Sequence, residues 1–409
     1  MALLALVLAV LTAASALYWL WALSCACRFG RRTQETAGFL PPVTILKPLQ
    51  GDDGYLYENL RSFCRQAYPT YQLVFGVRDA ADPAAAVVER VQAEFPAIDM
   101  ALVIGGPDWG ANRKISTVIN LLRQARHEVV VLVDSDMRVT PDYLGQIVAP
   151  LADPAVGMVT CLYKGTGAGV ASTLGAMFIN EWFLPSALAG IMLQELRHAF
   201  GATMAFRRET LAAIGGFEAV ADYLADDYML GWLVSRRGLR VVLSPYIVEN
   251  VVAEAGVAGL VLHELRWTRT VRNVRPASYF SSVVTHGLPL ALGLLLLAGA
   301  TPLAVGLLLA HLGLRCGGRL LLYPRLGLPV PWRSSWLVPI RDLLSFMLWA
   351  LSFLGGTVRW NGERLQLRSD GTLAPALRDE GRGAKGSAQA CAGQTEGPGL
   401  NDGQRSPWR

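Results

Sequence analysis

The chain has 409 residues and a formal net charge of +5, with 52% hydrophobic and only 17% charged residues. Soluble domains usually carry about 25% charged residues, so the composition argues against an entirely soluble protein. The charge is modest, and no basic stripe interleaved with aromatic residues occurs in the middle of the chain, which disfavours nucleic-acid binding. Six scattered cysteines without a zinc-type CxxC pair fit a reducing compartment.

The apolar excess is concentrated in segments 1–27, 283–314 and 336–358. A helix of about 20 apolar residues spans a bilayer. Basic residues follow the first segment and none precedes it. We therefore predict a retained transmembrane anchor at 1–27, rather than a cleaved signal peptide, with the following domain in the cytoplasm. The second segment is predicted to form a hairpin broken at 299–302, and the arginine-rich stretch 315–341 to be a cytoplasmic loop.

The last apolar segment conflicts with the rule that basic residues flanking membrane spans are retained on the cytoplasmic side. A span near 342–358 would place Arg359, Arg364 and Arg368 outside the cell. We therefore predict that 283–358 contains transmembrane and interfacial helices, with one segment lying in the interface or re-entering. Residues 369–409 are rich in Gly, Ser, Gln and charge and are predicted to be a disordered tail.

Residues 40–280 have ordinary globular composition and alternate between strand and helix patterns. Strands are predicted at 43–46, 73–77, 100–104, 129–133, 157–161, 203–207 and 240–243, and helices at 55–66, 83–95, 115–126, 208–214 and 227–238. The run 129–133 is apolar without alternation, as in a strand buried on both faces of a parallel sheet. The alternation predicts a doubly wound α/β domain. Ligands of such domains bind beyond the carboxyl ends of the strands.

Two carboxylates follow the buried strand 129–133, namely Asp134 and Asp136, with Ser135 between them. A carboxylate-bound divalent cation can neutralise a departing pyrophosphate. In this interpretation Asp136 holds the metal, and Asp134 assists at the metal or at a ribose. The alternative is a structural turn or helix cap, since Asp and Ser favour both.

Asp79 and Lys114 are weaker candidates for nucleotide binding. Asp79 follows the strand 73–77 and could hydrogen-bond a base or ribose, although aspartates at strand ends are common. Lys114 precedes a predicted helix and could contact phosphate, although a solvated lysine at a helix start is the simpler interpretation.

Asp226 and Asp227 are adjacent acids at a predicted helix start. A general base that accepts the proton of an acceptor hydroxyl has to be a carboxylate or a similar group. Favourable placement of acids at a helix N-terminus is the structural alternative.

The last motif runs from His263 to Trp267 and contains Arg266. An arginine can hold phosphate through a fork of donors, and a tryptophan can form an acceptor wall. The alternative is an amphipathic interfacial helix with Arg266, Arg269 and Arg272 against anionic lipid headgroups.

Taken in this order, the motifs resemble those of membrane-bound, processive-type glycosyltransferases with a GT-A (Rossmann-like) domain. More closely, they resemble the ceramide glucosyltransferase family, glycosyltransferase family 21. The family pattern is three successive aspartate sites and a Q/R-x-x-R-W motif. The matching residues here are Asp79, Asp134 with Asp136, Asp227, and His263 with Arg266 and Trp267, and His263 replaces the usual Gln or Arg.

Several stretches are similar to bacterial hopanoid biosynthesis-associated glycosyltransferases of the same superfamily. They are 46–49, 57–64, 200–205, 224–228 and 263–269. This resemblance implies transfer of N-acetylglucosamine from UDP-N-acetylglucosamine to bacteriohopanetetrol. It also implies a metal-dependent (Mg²⁺ or Mn²⁺), inverting enzyme of the bacterial inner membrane, with Asp227 as base.

Three alternatives stay open from the sequence. The first is a ceramide-type glucosyltransferase that uses UDP-glucose. The second is a processive polysaccharide synthase, which usually has more spanning helices than the apolar stretches here allow. The third is an inactive membrane scaffold on a transferase fold, against which the retained acids argue.

Overall fold

The computed structural model describes residues 2–29, 38–360 and 363–375. The strands are β1 (Val43–Pro48), β2 (Tyr71–Val77), β3 (Asp99–Ile104), β4 (Val129–Val133), β5 (Met137–Arg138), β6 (Val156–Thr166), β7 (Thr203–Arg207), β8 (Arg240–Val251), β9 (Thr357–Trp360), β10 (Glu363–Leu367) and β11 (Leu373–Pro375). The helices are α1 (Ala2–Arg28), α2 (Leu56–Phe63), α3 (Pro83–Glu94), α4 (Arg113–Leu122), α5 (Tyr143–Val148), α6 (Val170–Phe178), α7 (Leu184–Leu193), α8 (Arg208–Ala213), α9 (Asp226–Arg236), α10 (Val257–Val274), α11 (Pro276–Ser281), α12 (Gly287–Ala298), α13 (Pro302–Arg325) and α14 (Val338–Ser352).

An eight-stranded sheet organises the central domain, with the strand order β3-β2-β1-β4-β7-β6-β8-β5. Strands β3, β2, β1 and β4 are mutually parallel. Strand β7 runs antiparallel to both β4 and β6, so the second half of the sheet is mixed. The carboxyl ends of β1, β2 and β4 therefore meet at one edge, which is where a ligand site is expected.

Helices cover both faces of this sheet, and the strand side chains alternate between the two cores. In β4, Val129, Val131 and Val133 pack in the core that includes residues of α2, α3 and α5. Val130 and Leu132 pack in the opposite core, with residues of α4, α8 and α9. Burial on both faces explains why this segment is apolar without alternation. The prediction of an α/β domain is confirmed, and the β4 bounds agree with the predicted strand.

The second half of the domain contains a long helix that the sequence analysis did not predict. Helix α6, a π-helical turn (Ile179–Phe183) and α7 continue one another from Val170 to Leu193. Strands β6 and β8 are also much longer than predicted, because they pair in parallel along most of their length. The long helix packs against this extension and against α1.

Within the described residues, three helical segments are long and apolar enough to cross a membrane: Ala2–Arg28, Val170–Leu193 and Pro302–Arg325. A fourth is possible if the pair Pro276–Thr285 and Gly287–Ala298, bent by 63°, counts as one span. The first segment agrees with the predicted anchor. The predicted break at 299–302 is also present, because α12 ends before Gly299, whose φ is +68°, and Thr301 caps α13.

The predicted loop 315–341 is wrong, because α13 continues to Arg325 and α14 begins at Val338. Arg315 and Arg319 are buried helix residues that pair with Glu181 of the long helix. These ion pairs, rather than a loop on the cytoplasmic side, explain arginines within an otherwise apolar segment.

Helix α14 packs on helices of the central domain, because Val338 lies in one core cluster with Leu174 of α6 and Arg341 donates to Glu264 of α10. Before it, the carbonyl of Leu326 accepts a hydrogen bond of 2.7 Å from Lys164 of β6. After it, the carbonyl of Thr357 accepts one from Arg269 of α10. A helix that starts and ends on one domain does not cross a bilayer by itself. The predicted conflict over Arg359, Arg364 and Arg368 thus disappears, because these residues lie on or beside strands that contact the domain.

Strands β9, β10 and β11 form a second, three-stranded antiparallel sheet. The predicted disordered tail therefore begins too early, since Leu373–Pro375 pairs with β10. The apolar side chains of Leu365, Leu367 and Leu373 are buried together and supply the physical reason. The remainder of the predicted tail, 376–409, lies outside the described residues.

Candidate functional site

A cavity of about 950 Å³ opens at the carboxyl ends of β1, β2 and β4. Every residue proposed from the sequence for catalysis or for binding the donor, the metal or the acceptor lines this cavity. They are Asp79, Lys114, Asp134, Asp136, Asp226, Asp227, His263, Arg266 and Trp267. Residues from five separate segments are therefore brought to one place, and two of these segments are the strand ends after β2 and β4.

Lys114 links two of the carboxylates. Asn112 caps α4 by accepting a hydrogen bond from the Ile115 N–H, which places Lys114 in the first turn of the helix. Its Nζ lies 2.7 Å from Asp134 Oδ1 and 3.6 Å from Asp226 Oδ2. Burial lowers the pKa of Lys114, but the two carboxylates outweigh burial and hold that pKa above its ordinary value. The lysine is thus a fixed cation at the cavity wall and not a solvated side chain.

Asp136 is fixed by the end of β8. Its carbonyl accepts a hydrogen bond of 2.9 Å from the Val251 N–H, and Asn250 Nδ2 donates to its Oδ2 at 2.7 Å. Burial, together with the negative charge of Asp134, raises the pKa of Asp136 to about 6. A buried carboxylate with a raised pKa is stabilised by a nearby cation.

Asp226 and Asp227 lie at the start of α9, so the structural alternative from the sequence also holds. Asp226 is buried, and Asn112 Nδ2 donates to its Oδ1 at 3.4 Å. Asp227 Oδ1 accepts a hydrogen bond of 2.8 Å from the Tyr228 N–H. Burial and the neighbouring Asp226 raise the pKa of Asp227 to about 7, a value that suits a general base near neutral pH.

Asp134 and Asp227 face each other across Gly201. A Cβ built on this glycine would lie 3.3 Å from Asp227 Oδ2 and 3.5 Å from Asp134 Oδ2. Gly201 precedes β7, which is antiparallel to β4, and this arrangement brings it beside the end of β4. The absence of a side chain keeps the space between the two carboxylates open.

Helix α10 supplies the opposite wall. His263 Nδ1 lies 2.8 Å from Glu254 Oε1, and the His263 ring meets Trp267 edge-on with centroids 4.4 Å apart. Burial lowers the pKa of Arg266, but the charges of Asp134, Asp226 and Asp136 oppose this effect. Arg266 lines the same cavity as these carboxylates.

The proposed contact of α10 arginines with lipid headgroups is not what the structure shows. Arg269 donates to the carbonyls of Leu354 and Thr357, and Arg272 donates to those of Ser352 and Gly355. These arginines bind the last residue of α14 and the chain that follows it.

Part of the cavity wall is apolar. Its wall is formed by Phe178, Trp182, Ala187 and Ile191 on the long helix 170–193, together with residues of α10 such as Val271. The Phe178 ring stacks on Trp267 with centroids 6.2 Å apart, which joins the apolar wall to the polar motif. One cavity is thus lined both by a group of carboxylates and by apolar side chains suited to a hydrocarbon group.

Only two carboxylates are available for a metal ion at the end of β4. Within the described residues, no group of three or more His, Cys, Asp or Glu side chains could hold a metal ion. Asp134 and Asp136 offer oxygen atoms alone, which suits Mg²⁺ or Mn²⁺. Such ions take about six ligands, so this pair fits a cation whose other ligands come from a bound phosphate compound and water.

Lys47 and Trp360 lie at the site and received no role from the sequence. Lys47 lies near the end of β1, is fully buried, and donates to the carbonyl of Asp134 at 2.8 Å. Burial lowers the pKa of Lys47 to about 7, although Asp136 and Asp134 oppose this effect. A lysine within an otherwise apolar strand indicates a specific partner, so the sequence contained a signal for this residue. Trp360 lines the cavity, but nothing in its local sequence distinguishes it from an interfacial tryptophan.

The chain is similar to known glycosyltransferases. A family model described as "Glycosyl transferase family 21" matches residues 6–373. Ceramide glucosyltransferase 3 of Caenorhabditis elegans is 27% identical over 232 residues, which cover 56% of this chain and 50% of the relative. Ceramide glucosyltransferase 1 of the same organism is 26% identical over 266 residues, covering 64% and 57%. The chain thus matches about half the length of these relatives.

The structure is also similar to that of the mannosyltransferase PcManGT from Pyrobaculum calidifontis, solved in complex with GDP-Man and Mn²⁺. The TM-score is 0.57 with 21% sequence identity, and the match covers 86% of this chain and 99% of the other. This likeness confirms the predicted GT-A fold.

Proposed function

Because the chain belongs to glycosyl transferase family 21, we propose that it transfers a sugar from a UDP-sugar to a hydroxyl of a membrane lipid. One observation carries this proposal: a single cavity joins a cluster of carboxylates to an apolar wall. The carboxylate part suits a charged sugar donor, and the apolar wall suits a lipid. The ceramide glucosyltransferases among its relatives are enzymes named for a lipid acceptor.

The donor is bound at the carboxyl ends of the strands. Asp79, exposed after β2, hydrogen-bonds the uridine, and Lys114 contacts the phosphates. Asp134 and Asp136 hold Mg²⁺ or Mn²⁺, which supplies positive charge to the departing pyrophosphate. Arg266 lines the same cavity as these carboxylates and adds a fork of donors for phosphate oxygens.

Asp227 is the general base. Its raised pKa allows it to accept a proton from the acceptor hydroxyl near neutral pH. Displacement of UDP by that hydroxyl inverts the configuration of the sugar. Asp226 is bound to Asn112 and faces Lys114, so it supports the position of α9 and the raised pKa of Asp227.

The acceptor lies between the long helix 170–193 and α10. Trp267 and Phe178 form a stacked aromatic wall there, and His263 lies beside Trp267. The apolar segments 2–28 and 302–325 are consistent with an integral membrane protein. We place the catalytic domain on the cytoplasmic face of a bacterial inner membrane, because UDP-sugars are made there and basic residues follow α1.

Two alternative reactions, which differ in donor and acceptor, have support. The motifs 200–205 and 224–228 favour N-acetylglucosamine transfer from UDP-N-acetylglucosamine to bacteriohopanetetrol, through their similarity to hopanoid-associated enzymes. The relatives named above favour glucose transfer from UDP-glucose to ceramide. The carboxylate part of the cavity is compatible with both donors.

The experiment is a two-by-two assay. Purified full-length protein is incubated with each donor and each acceptor in turn, and lipid products are analysed by mass spectrometry beside an Asp227→Asn control. An N-acetylhexosamine adduct on bacteriohopanetetrol supports the hopanoid reaction, and hexosylceramide supports the ceramide reaction. Absence of UDP release with every pair, from folded protein, would favour an inactive scaffold.

A further inference from the structure

The chain that follows α14 returns to the cavity as the three-stranded sheet β9–β11. This sheet packs its buried side chains Val358, Leu365, Leu367 and Leu373 against Leu224. The Leu373 N–H donates to the Asp222 carbonyl at 2.8 Å, and the Leu224 N–H donates to the Gly371 carbonyl at 3.4 Å. The sheet is therefore attached to the loop that leads into Asp226 and Asp227.

The same sheet is attached to two other elements of the cavity. Glu363 of β10 forms an ion pair with Arg113, which directly precedes Lys114 in the chain. On α10, Asn273 Nδ2 donates to the carbonyl of Arg368 at 2.9 Å, and Arg269 donates to that of Thr357. Each attachment lies within a few residues of a group that faces the carboxylates, so this sheet connects three separate walls of the site.

Trp360, at the end of β9, contacts the site directly. It lines the cavity, and the guanidinium carbon of Arg266 lies 5.8 Å from the centre of its ring. Among the described residues, no carboxylate lies within ion-pair distance of Arg266, and its guanidinium makes no hydrogen bond. The Trp360 ring therefore supplies a cation–π contact to a guanidinium that has no hydrogen-bond partner within the described residues.

We infer that Trp360 is a positioning residue for Arg266, and that the sheet β9–β11 belongs to the nucleotide-binding site. This inference rests on the proposed function, in which Arg266 contacts the pyrophosphate of a nucleoside diphosphate. A tryptophan face attracts a cation more strongly than the other aromatic rings. With Arg266 directed into the cavity in advance, less conformational entropy is lost when the phosphate binds.

The test compares variants of similar size. Trp360→Leu removes the aromatic face but retains an apolar side chain, whereas Trp360→Phe retains a face. UDP affinity with Mn²⁺ is measured by calorimetry on the full chain in detergent. We expect Trp360→Leu to weaken UDP binding about tenfold, as for loss of a desolvated cation–π contact, and Trp360→Phe to stay within about threefold of wild type. Arg359→Ala, an exposed position on the same strand, should leave the affinity unchanged.

A double-mutant cycle tests whether Trp360 acts through Arg266. If it does, Trp360→Leu in an Arg266→Ala background causes no further loss of UDP affinity. Equal affinities of the Leu and Phe variants, or additive losses in the cycle, would overturn the inference, and thermal unfolding of each variant identifies misfolding. The readout requires no turnover. UDP binding that responds as expected in a protein that transfers no sugar would therefore refute the proposed function and still support Trp360.

Discussion

Two groups of charged residues occupy the interior of this protein and differ in how their charges are balanced. The first group lies on and around α13 and α14. It consists of three arginines, each of which contacts at least one acid: Arg315, Arg319 and Arg341 face Glu181, Asp342 and Glu264. At the cavity, Asp134, Asp136, Asp226 and Asp227 are close together, and within the described residues only Lys114 forms ion pairs with them.

The difference separates a structural role from a functional one. Arg341 donates two hydrogen bonds to Glu264, of 2.8 and 2.7 Å, so both charges are satisfied within the protein. At the cavity, burial and a neighbouring carboxylate raise the pKa values of Asp136 and Asp227, and neither of these two carboxylates has an ion-pair partner among the described residues. Carboxylates that face a cavity and have no ion-pair partner are expected where a cation and a substrate bind.

Among the cavity carboxylates, we expect Asp227→Asn to have the largest effect on the transfer rate. Loss of the general base should lower the transfer rate about 10²- to 10⁴-fold. UDP binding should remain close to that of wild type, because the base acts on the acceptor hydroxyl. Steady-state UDP release and UDP calorimetry check the two parts. Loss of UDP affinity as large as the loss of rate would show that Asp227 binds the donor and is not the base.

Glu264→Gln tests the structural side. It leaves the buried Arg341 unpaired, so we expect a loss of about 3–5 kcal/mol in the free energy of unfolding. Asp136→Asn should cause no loss, because it removes a carboxylate whose charge burial disfavours and leaves Asn250 with an acceptor. Denaturant unfolding followed by tryptophan fluorescence measures both. The comparison fails if the two variants are destabilised equally.

The pH dependence of transfer should report the state of Asp227. Its pKa is raised to about 7, and only the unprotonated carboxylate accepts a proton. The turnover rate should therefore fall about tenfold for each pH unit below that value and level off above it. Samples returned from acid to neutral pH before assay control for unfolding. A rate that stays constant down to about pH 5 would exclude Asp227, with this pKa, as the base.

Much of the first half of the fold could be predicted from the sequence, because each strand and helix there has its own periodic pattern. The run 129–133 is the clearest case. The helix 170–193 was missed, since its apolar run contains Asn180 and Glu181, which suggest a loop until Arg315 is seen to pair with the glutamate. That pairing joins residues far apart in the chain, which no local pattern contains.

The candidate site was predicted more completely than its surroundings. Asp79, Asp134 and Asp227 follow or begin recognisable elements, so topology alone brings them together. Trp360 and the sheet β9–β11 could not be predicted, because these strands are short and are held by contacts with Leu224 and Arg113. These contacts join residues that are more than a hundred positions apart in the chain, so no local sequence pattern contains them.

The most direct test of a cation site at Asp134 and Asp136 is calorimetry of UDP binding with and without Mn²⁺, in the wild type and in Asp136→Asn. If Asp134 and Asp136 hold a cation that binds the diphosphate, Mn²⁺ will strengthen UDP binding to the wild type, and Asp136→Asn will lose most of that increase. Equal UDP affinity with and without the cation, or an undiminished increase in Asp136→Asn, would contradict the assignment of these carboxylates to a metal-bound donor.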